Sequence, residues 1–254
     1  MSSRHTFGKA GTASIEGLRV FAADGVKCRR NQINRRGKEV AESSVAVAHK
    51  KGHTFFWRRL HSLAGVVPLG FFLLEHLWSN AAALSSPQSF NQQVHTLQSL
   101  PMLVVIEALF IWLPMLYHGI YGFVRISSSQ SNVGAYSWGR NWLYTLQRIS
   151  GVIVFIFVVV HFLQFRVLQA GNITFDTVSM GLSNPWIMAG YLLGVIATCY
   201  HFGNGISTFC ITWGITIGPH SQRVMTIVGL IVFALLAIVG ILSVFAFTSG
   251  LRIF

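Results

Sequence analysis

The chain has 254 residues, of which 52% are hydrophobic and 10% charged, and its mean hydropathy is +0.56. These values exclude an ordinary soluble domain and indicate a membrane protein. The formal net charge of +12 does not indicate nucleic-acid binding, because 13 of the 19 Lys and Arg lie in residues 1–59. The three cysteines, Cys28, Cys199 and Cys210, form no C-x-x-C pair, which argues against a disulfide framework.

Residues 1–52 are a basic N-terminal extension with little apolar periodicity, so we expect them to be disordered or to depend on a partner subunit or anionic lipid. The extension lacks the apolar run and cleavage site of a signal peptide, so the first hydrophobic segment is predicted to be a retained helix. An alternative is that the extension reflects the choice of start codon. Residues 53–254 are predicted to form one transmembrane domain.

Five apolar segments follow along the chain, at residues 57–84, 101–126, 142–168, 185–212 and 223–250. Each segment is long enough to span a membrane, since about 20 helical residues cross a hydrocarbon core of about 30 Å. The sequence therefore predicts an all-α integral membrane bundle of five transmembrane helices. The polar stretches between the segments are predicted to be turns, at residues 85–93, 127–137, 169–179 and 217–223.

The distribution of arginine predicts the orientation of the bundle. Arg58 and Arg59 precede the first segment, Arg125 and Arg140 flank the second connection, and Arg223 lies in the fourth. All of these positions would share one side of the membrane, which the positive-inside rule assigns to the cytoplasm. The N-terminus is therefore expected to be cytoplasmic.

Four histidines lie one apiece in the first four segments: His76, His118, His161 and His201. A single imidazole in hydrocarbon is often a hydrogen-bonded packing residue, but four such residues indicate a binding site. At about 1.5 Å per residue, His76 and His161 fall in the outer half of the membrane, and His118 and His201 in the inner half. We call these the outer pair and the inner pair.

Two imidazoles in an apolar shell predict a haem iron rather than zinc or copper, whose sites usually add further ligands. The arrangement therefore predicts two haem b groups stacked across the membrane. Small residues on the expected helix faces would let a flat macrocycle approach closely, although small residues are common at any transmembrane helix interface. These residues are Gly65, Gly122, Ser150 and Gly194.

Four sequence stretches resemble the dihaem cytochrome b subunit of succinate dehydrogenases and fumarate reductases: FFWRRLHSLAGVVPLGFFLLEHLWSN, SLPMLVVIEALFIWLPMLYHGIYG, YSWGRNWLYTLQRISG and YHFGNGISTFCITWGIT. The resemblance covers about residues 55–250 and leaves the N-terminal extension unmatched. It implies that His76 and His161 ligate the outer haem b, and that His118 and His201 ligate the inner one.

The same resemblance implies a cytoplasmic flavoprotein, where succinate is oxidised, and an iron-sulfur subunit that relays electrons to the inner haem. No catalytic dicarboxylate chemistry is then expected in this chain, which would act as an electron-transfer and quinone-binding subunit. We expect the quinone to be menaquinone and the membrane to be a bacterial cytoplasmic membrane.

Two carboxylates are expected near the outer haem. Glu107 lies about one turn into the second segment from the outer side, and Glu75 adjoins His76. Our hypothesis is that a quinone binds here and that Glu107 exchanges the protons of its two-electron reduction. The alternative is an interfacial carboxylate paired with Arg166 or water.

The inner edge of the membrane carries candidate ligands for haem propionates. The arginines Arg58, Arg59, Arg140 and Arg148 are suitable donors, and His61 lies at the same level. The alternatives are that the arginines are topology signals facing phosphate headgroups and that His61 lies at the interface.

The sequence favours the membrane anchor of a succinate:quinone oxidoreductase. A cytochrome b anchor for another oxidoreductase, such as a hydrogenase or formate dehydrogenase, stays open as an alternative. A proton or metal transporter is a further alternative, against which stand the single histidine per helix and the missing inverted repeat.

Overall fold

The computed structural model describes residues 55–128, 133–169 and 172–253, together with the single position Lys38. Every regular element in these ranges is a helix: α1 (Phe55–Leu84), α2 (Pro87–Gln98), α3 (Leu103–Ser127), α4 (Gly139–Val167), α5 (Phe175–Leu182), α6 (Pro185–Thr212) and α7 (Pro219–Ser249). Five of them, α1, α3, α4, α6 and α7, are long and apolar enough to cross a membrane. The predicted all-α bundle with five membrane-spanning helices is therefore confirmed. The prediction that residues 1–52 are disordered concerns a part of the chain that lies outside the described ranges.

The helix boundaries agree with the predicted segments to within four residues. The largest difference is at α7, which begins at Pro219 rather than at 223. Gly218 is extended and Pro219 has its backbone dihedral φ restrained to a helical value, so the helix starts at the proline. Arg223 therefore lies inside α7, and Arg140 lies in the first turn of α4 rather than in a connection.

Two of the stretches predicted to be turns contain short helices of their own, and the stretch 217–223 contains the first turn of α7, so these predictions are wrong in part. In the first connection, the Ser86 hydroxyl accepts a 3.0 Å hydrogen bond from the Ser89 amide and starts α2. In the third connection, Thr174 and Thr177 form a capping box that starts α5. The polar composition that suggested turns thus belongs to the caps and outer faces of short helices.

Helices α2 and α5 pack together over one end of the bundle. The Asn91 side-chain oxygen accepts a 2.7 Å hydrogen bond from the Phe175 amide, which joins the two helices. Beneath them, Phe90, Phe175 and Phe247 form a buried aromatic cluster that ties both helices to α7. This end carries the outer pair, and we call it the outer end, following the predicted orientation.

Helix α7 carries none of the four histidines and supports α6 by close backbone packing. A Cβ atom at Gly203 would lie 3.0 Å from the Phe233 amide nitrogen and closer still to the Gly229 carbonyl oxygen. The Ser207 hydroxyl donates a 2.7 Å hydrogen bond to the Met225 carbonyl across the same interface. The close approach fixes α6, and with it the position of His201.

Candidate functional site

The inner pair lies between α3 and α6. The ring centroids of His118 and His201 are 6.1 Å apart, and their planes are inclined by 86°. Both side chains are half-buried. The structure thus brings together the two histidines that the sequence places in the inner half of the membrane.

Each ring of the inner pair is oriented by a backbone carbonyl of a neighbouring helix. His118 Nδ1 lies 3.0 Å from the His61 carbonyl oxygen on α1, and His201 Nδ1 lies 3.1 Å from the Gln147 carbonyl oxygen on α4. A carbonyl oxygen only accepts, so the proton resides on Nδ1 and the lone pair of Nε2 is available to a metal. Metal-ligating histidines generally have this arrangement, so the inner pair fits a haem iron.

Glycines allow the helices to approach the inner rings closely. A Cβ atom at Gly65 would lie 2.8 Å from His118 Nδ1, and one at Gly151 would lie 3.0 Å from His201 Cε1. The Ser150 hydroxyl lies 3.2 Å from His201 Nδ1, and Gly122 faces His61. These small residues line the inner pair.

The fourth small residue singled out in the sequence lies elsewhere. Gly194 packs against the Phe157 ring rather than against a histidine. Phe157 in turn stacks on His161, with ring centroids 5.6 Å apart. Gly194 therefore bears on the outer pair through the position of Phe157.

The outer pair lies between α1 and α4. The ring centroids of His76 and His161 are 5.6 Å apart, and their planes are inclined by 79°. Phe157, Phe165 and Tyr191 surround the His161 ring. Within the described residues, His161 Nδ1 is buried without a hydrogen-bond partner, which is a costly state for a polar atom in an apolar shell. Such an atom fits a site that binds a further group.

A fifth histidine, His61, lies against the inner pair. The His61 ring stacks on His118, with centroids 4.1 Å apart and planes inclined by 10°. Tyr121 also contacts His61, at 5.3 Å between ring centroids. His61 is thus a neighbour of a candidate ligand rather than a residue at the membrane interface alone, and propionate binding by it stays a prediction.

The four candidate arginines of the inner edge have different surroundings. Arg58 is exposed, and the guanidinium of Arg59 lies 5.1 Å from the ring centroid of Trp213. Arg140 donates a 2.8 Å hydrogen bond to the Gln222 side chain, and Arg148 donates a 2.5 Å bond to the carbonyl of Ile126 at the end of α3. Arg140 and Arg148 therefore tie α4 to neighbouring helices, and propionate binding stays a prediction for all four.

Glu107 has the partner that the alternative interpretation assigned to it. Its carboxylate pairs with Arg166 of α4, with 2.5 Å between Oε2 and Nη2. Both residues lie at π-helical turns, since Glu107 precedes the turn Ala108–Trp112 and Arg166 lies within Leu163–Val167. Because π-turns are frequent at functional sites, the ion pair stays a candidate for proton exchange as well as for helix linkage.

Glu75 lies at the start of a short chain of polar groups at the outer end. The Ser79 hydroxyl donates to Glu75 Oε1, and the Gln93 side-chain amide donates a 3.3 Å hydrogen bond to the Ser79 hydroxyl. Gln93 belongs to α2, so the chain joins the residue beside His76 to the helices that cover the outer end.

Two residues at the inner pair were not anticipated from the sequence. The Asn204 side chain of α6 donates a hydrogen bond to the Gln147 side chain of α4, and the Gln147 side chain donates one to the His201 carbonyl. The available signal was their polarity within apolar segments, since uncharged amides in transmembrane helices usually bond across a helix interface. Asn204 also lies three residues after His201, on the same face of α6.

Comparison with known proteins gives two findings. Residues 127–242 match the family model of the succinate dehydrogenase/fumarate reductase transmembrane subunit. The chain is also similar to the succinate dehydrogenase cytochrome b558 subunit of Bacillus subtilis (strain 168), with 43% identity over 195 residues. That alignment covers 76% of this chain and 96% of the relative. Both findings favour this family over the hydrogenase and formate dehydrogenase anchors that the sequence left open.

Proposed function

The chain belongs to the succinate dehydrogenase/fumarate reductase transmembrane subunits, as a multi-pass cytochrome b subunit, and on this premise we propose that it holds two haem b groups and conducts electrons between an iron-sulfur subunit and a membrane quinone. His76 and His161 would hold the outer haem. His118 and His201 would hold the inner one. Bis-imidazole haem iron exchanges single electrons and leaves no coordination position open to oxygen.

The observation that carries the proposal is the presence of two histidine pairs at two levels of one bundle, each joining two spanning helices. In the inner pair, backbone carbonyls hold both Nδ1 atoms, so both rings are preoriented with Nε2 available. In the outer pair, aromatic rings surround His161, whose buried Nδ1 has no hydrogen-bond partner among the described residues. The protein's part in electron transfer would be to hold these four rings in position within the bundle.

Quinone chemistry is assigned to the outer end. A quinone takes up two protons with two electrons, so its site needs a group that exchanges protons beside the outer pair. Glu107, with its side chain 19% exposed, is suited to this role, and Arg166 would keep its carboxylate in place. Glu75, through Ser79 and Gln93, is a second candidate.

The partner subunits are assigned to the opposite end, where Arg58, Arg59 and Arg140 lie. This end would face the cytoplasm of a bacterium, with the iron-sulfur subunit against the inner pair and the flavoprotein beyond it. Arg58, Arg59, Arg140, Arg148 and His61 would contact propionates of the inner haem there. Menaquinone is the proposed quinone, and dicarboxylate chemistry is assigned to the flavoprotein.

The test is the haem content of the purified complex and of histidine variants. We expect two haem b groups per chain from the pyridine haemochrome spectrum, and one each in His118→Ala and His76→Ala. His95→Ala is the matched control, because His95 is exposed on α2 and lies outside both pairs. A complex without haem, or a His118→Ala variant that keeps both groups, would refute the proposal.

A further inference from the structure

Gln147 and His201 are joined by two hydrogen bonds that cross between α4 and α6 in opposite directions. The imidazole Nδ1 of His201 lies 3.1 Å from the Gln147 carbonyl oxygen. The Gln147 side-chain amide donates a 3.0 Å bond to the His201 carbonyl oxygen. Each residue therefore holds the other through both its backbone and its side chain.

Asn204 completes this arrangement from the next turn of α6. Its side-chain amide donates a 2.7 Å hydrogen bond to Gln147 Oε1 and a 3.3 Å bond to the Leu143 carbonyl. The Ser150 hydroxyl donates a 3.1 Å hydrogen bond to the backbone carbonyl of Gln147, which is also the carbonyl that His201 Nδ1 faces. Asn204 and Ser150 are each 5% exposed, so these bonds form away from water, where an unmade bond is costly.

A second glutamine on α4, Gln164, also bonds to neighbouring helices but does not bond to a candidate haem ligand. The Gln164 side chain accepts a 2.8 Å hydrogen bond from the Tyr191 hydroxyl and donates a 3.1 Å bond to the Gly181 carbonyl. Its bonds link α4 to α6 and α5 without reaching a histidine ring. Gln147 differs because its backbone and side chain both bond to His201.

We propose that Gln147 and Asn204 are positioning residues that set the orientation and the basicity of His201 as a haem ligand. The inference rests on the haem-binding function proposed above. A firm bond from Nδ1 to a carbonyl raises the basicity of the ligating nitrogen and fixes the ring orientation. Stronger donation by the ligating nitrogen favours the oxidised iron. Because the Gln147 and Asn204 side chains hold the Gln147 backbone carbonyl against His201 Nδ1, their contact lowers the midpoint potential of the inner haem and leaves the outer haem unaffected.

The experiment compares three variants in the complete purified complex: Gln147→Met, Asn204→Leu and the matched control Gln164→Met. The readouts are haem content, redox titration of the haem absorption and electron paramagnetic resonance of the oxidised haems. The inner haem signal is identified as the one that disappears in His118→Ala. We expect Gln147→Met to raise the potential of the inner haem and change its resonance signal, with the outer haem unchanged.

Asn204→Leu removes the hydrogen bond from Asn204 to Gln147 Oε1 and keeps the bonds between Gln147 and His201. We therefore expect a smaller shift of the inner haem potential in the same direction. Gln164→Met should leave the inner haem signal at its wild-type position. Selective loss of the inner haem in Gln147→Met would also support the proposal. If Gln147→Met fails to assemble, the measurement on Asn204→Leu decides.

Two results would overturn the inference. One is an unchanged inner haem potential and resonance signal in an assembled variant with both haems. The other is an equal shift in Gln164→Met, which would indicate general loosening of the bundle. A wild-type complex without haem would instead refute the proposed function, so the two failures are distinguishable.

Discussion

Gly65→Ala tests the close packing at the inner pair. The new Cβ atom would lie 2.8 Å from His118 Nδ1 and closer still to Cε1. Ordinary contacts between such atoms begin at about 3.5 Å, so the ring or the helix must move by about 0.7 Å or more. Metal–ligand distances tolerate only about 0.2 Å.

The His118 ring has little freedom to absorb this movement. His61 stacks on one face of it at 4.1 Å, and the His61 carbonyl holds its Nδ1 atom. The added methyl group would therefore displace the ring from its hydrogen bond. We expect Gly65→Ala to lose most of the inner haem while the outer haem is retained.

The assay is the haem-to-protein ratio of the purified complex, together with the spectrum of the remaining haem. Gly190→Ala is the matched control, since a Cβ atom at Gly190 of α6 has no neighbour within 4 Å. This control should keep both haems. A Gly65→Ala complex with two haems and an unchanged inner haem spectrum would show that the reasoning from ring contact is wrong.

Two further predictions concern the outer end and the helix packing. Glu107→Gln removes the proposed proton-exchanging group and its ion pair with Arg166, so the quinone reductase rate should fall by about 10²-fold or more and its pH profile should change; an unchanged rate and profile would exclude the role. Gly203→Ala places a methyl group against Gly229, and we expect a loss of about 1–3 kcal/mol in stability, measured as a lower thermal unfolding temperature of the complex. Gly190→Ala should unfold at the wild-type temperature, and a Gly203→Ala complex that did the same would contradict the packing described between α6 and α7.

The sequence was sufficient to predict the spanning helices and the grouping of the histidines. Hydropathy marks helices that face lipid, and helical rise converts the positions of His76, His118, His161 and His201 into depths. Hydropathy and helical rise are both properties of a single helix. Neither depends on the side chains of neighbouring helices, so both could be predicted without a structure.

The short helices at the outer end were missed for a different reason. The stretch around Ser86 and Pro87 was predicted to be a turn from its polar composition, yet a serine followed by proline is also a helix start. Thr174 gives a similar signal for α5. These helices are stabilised mainly by packing on the bundle, around Phe90 and Phe175, and this contact is not visible in the sequence alone.

The contacts of Gln147 and Arg148 also depend on tertiary structure. Gln147 bonds His201 on another helix, 54 residues away in sequence, and the sequence indicated only that a polar residue lay in an apolar segment. Arg148 was predicted to be near the inner edge, but its bond to the carbonyl of Ile126 follows from how α3 ends beside α4. Predicting these two partners requires knowing how α3 and α6 pack against α4.

Helix α1 takes part in both histidine pairs, because it supplies His76 to the outer pair and places Gly65 and the His61 carbonyl against the inner one. Gly65 and His76 are separated by about 16 Å along the helix axis at 1.5 Å per residue. Pro68 lies between them and donates no amide hydrogen bond, but the bonds from the Val67 amide to the Leu63 carbonyl and from the Phe71 amide to the Val67 carbonyl carry the helix past it. Deleting one residue between Gly65 and His76 would rotate one contact by about 100° relative to the other, so the register of α1 constrains both sites at once.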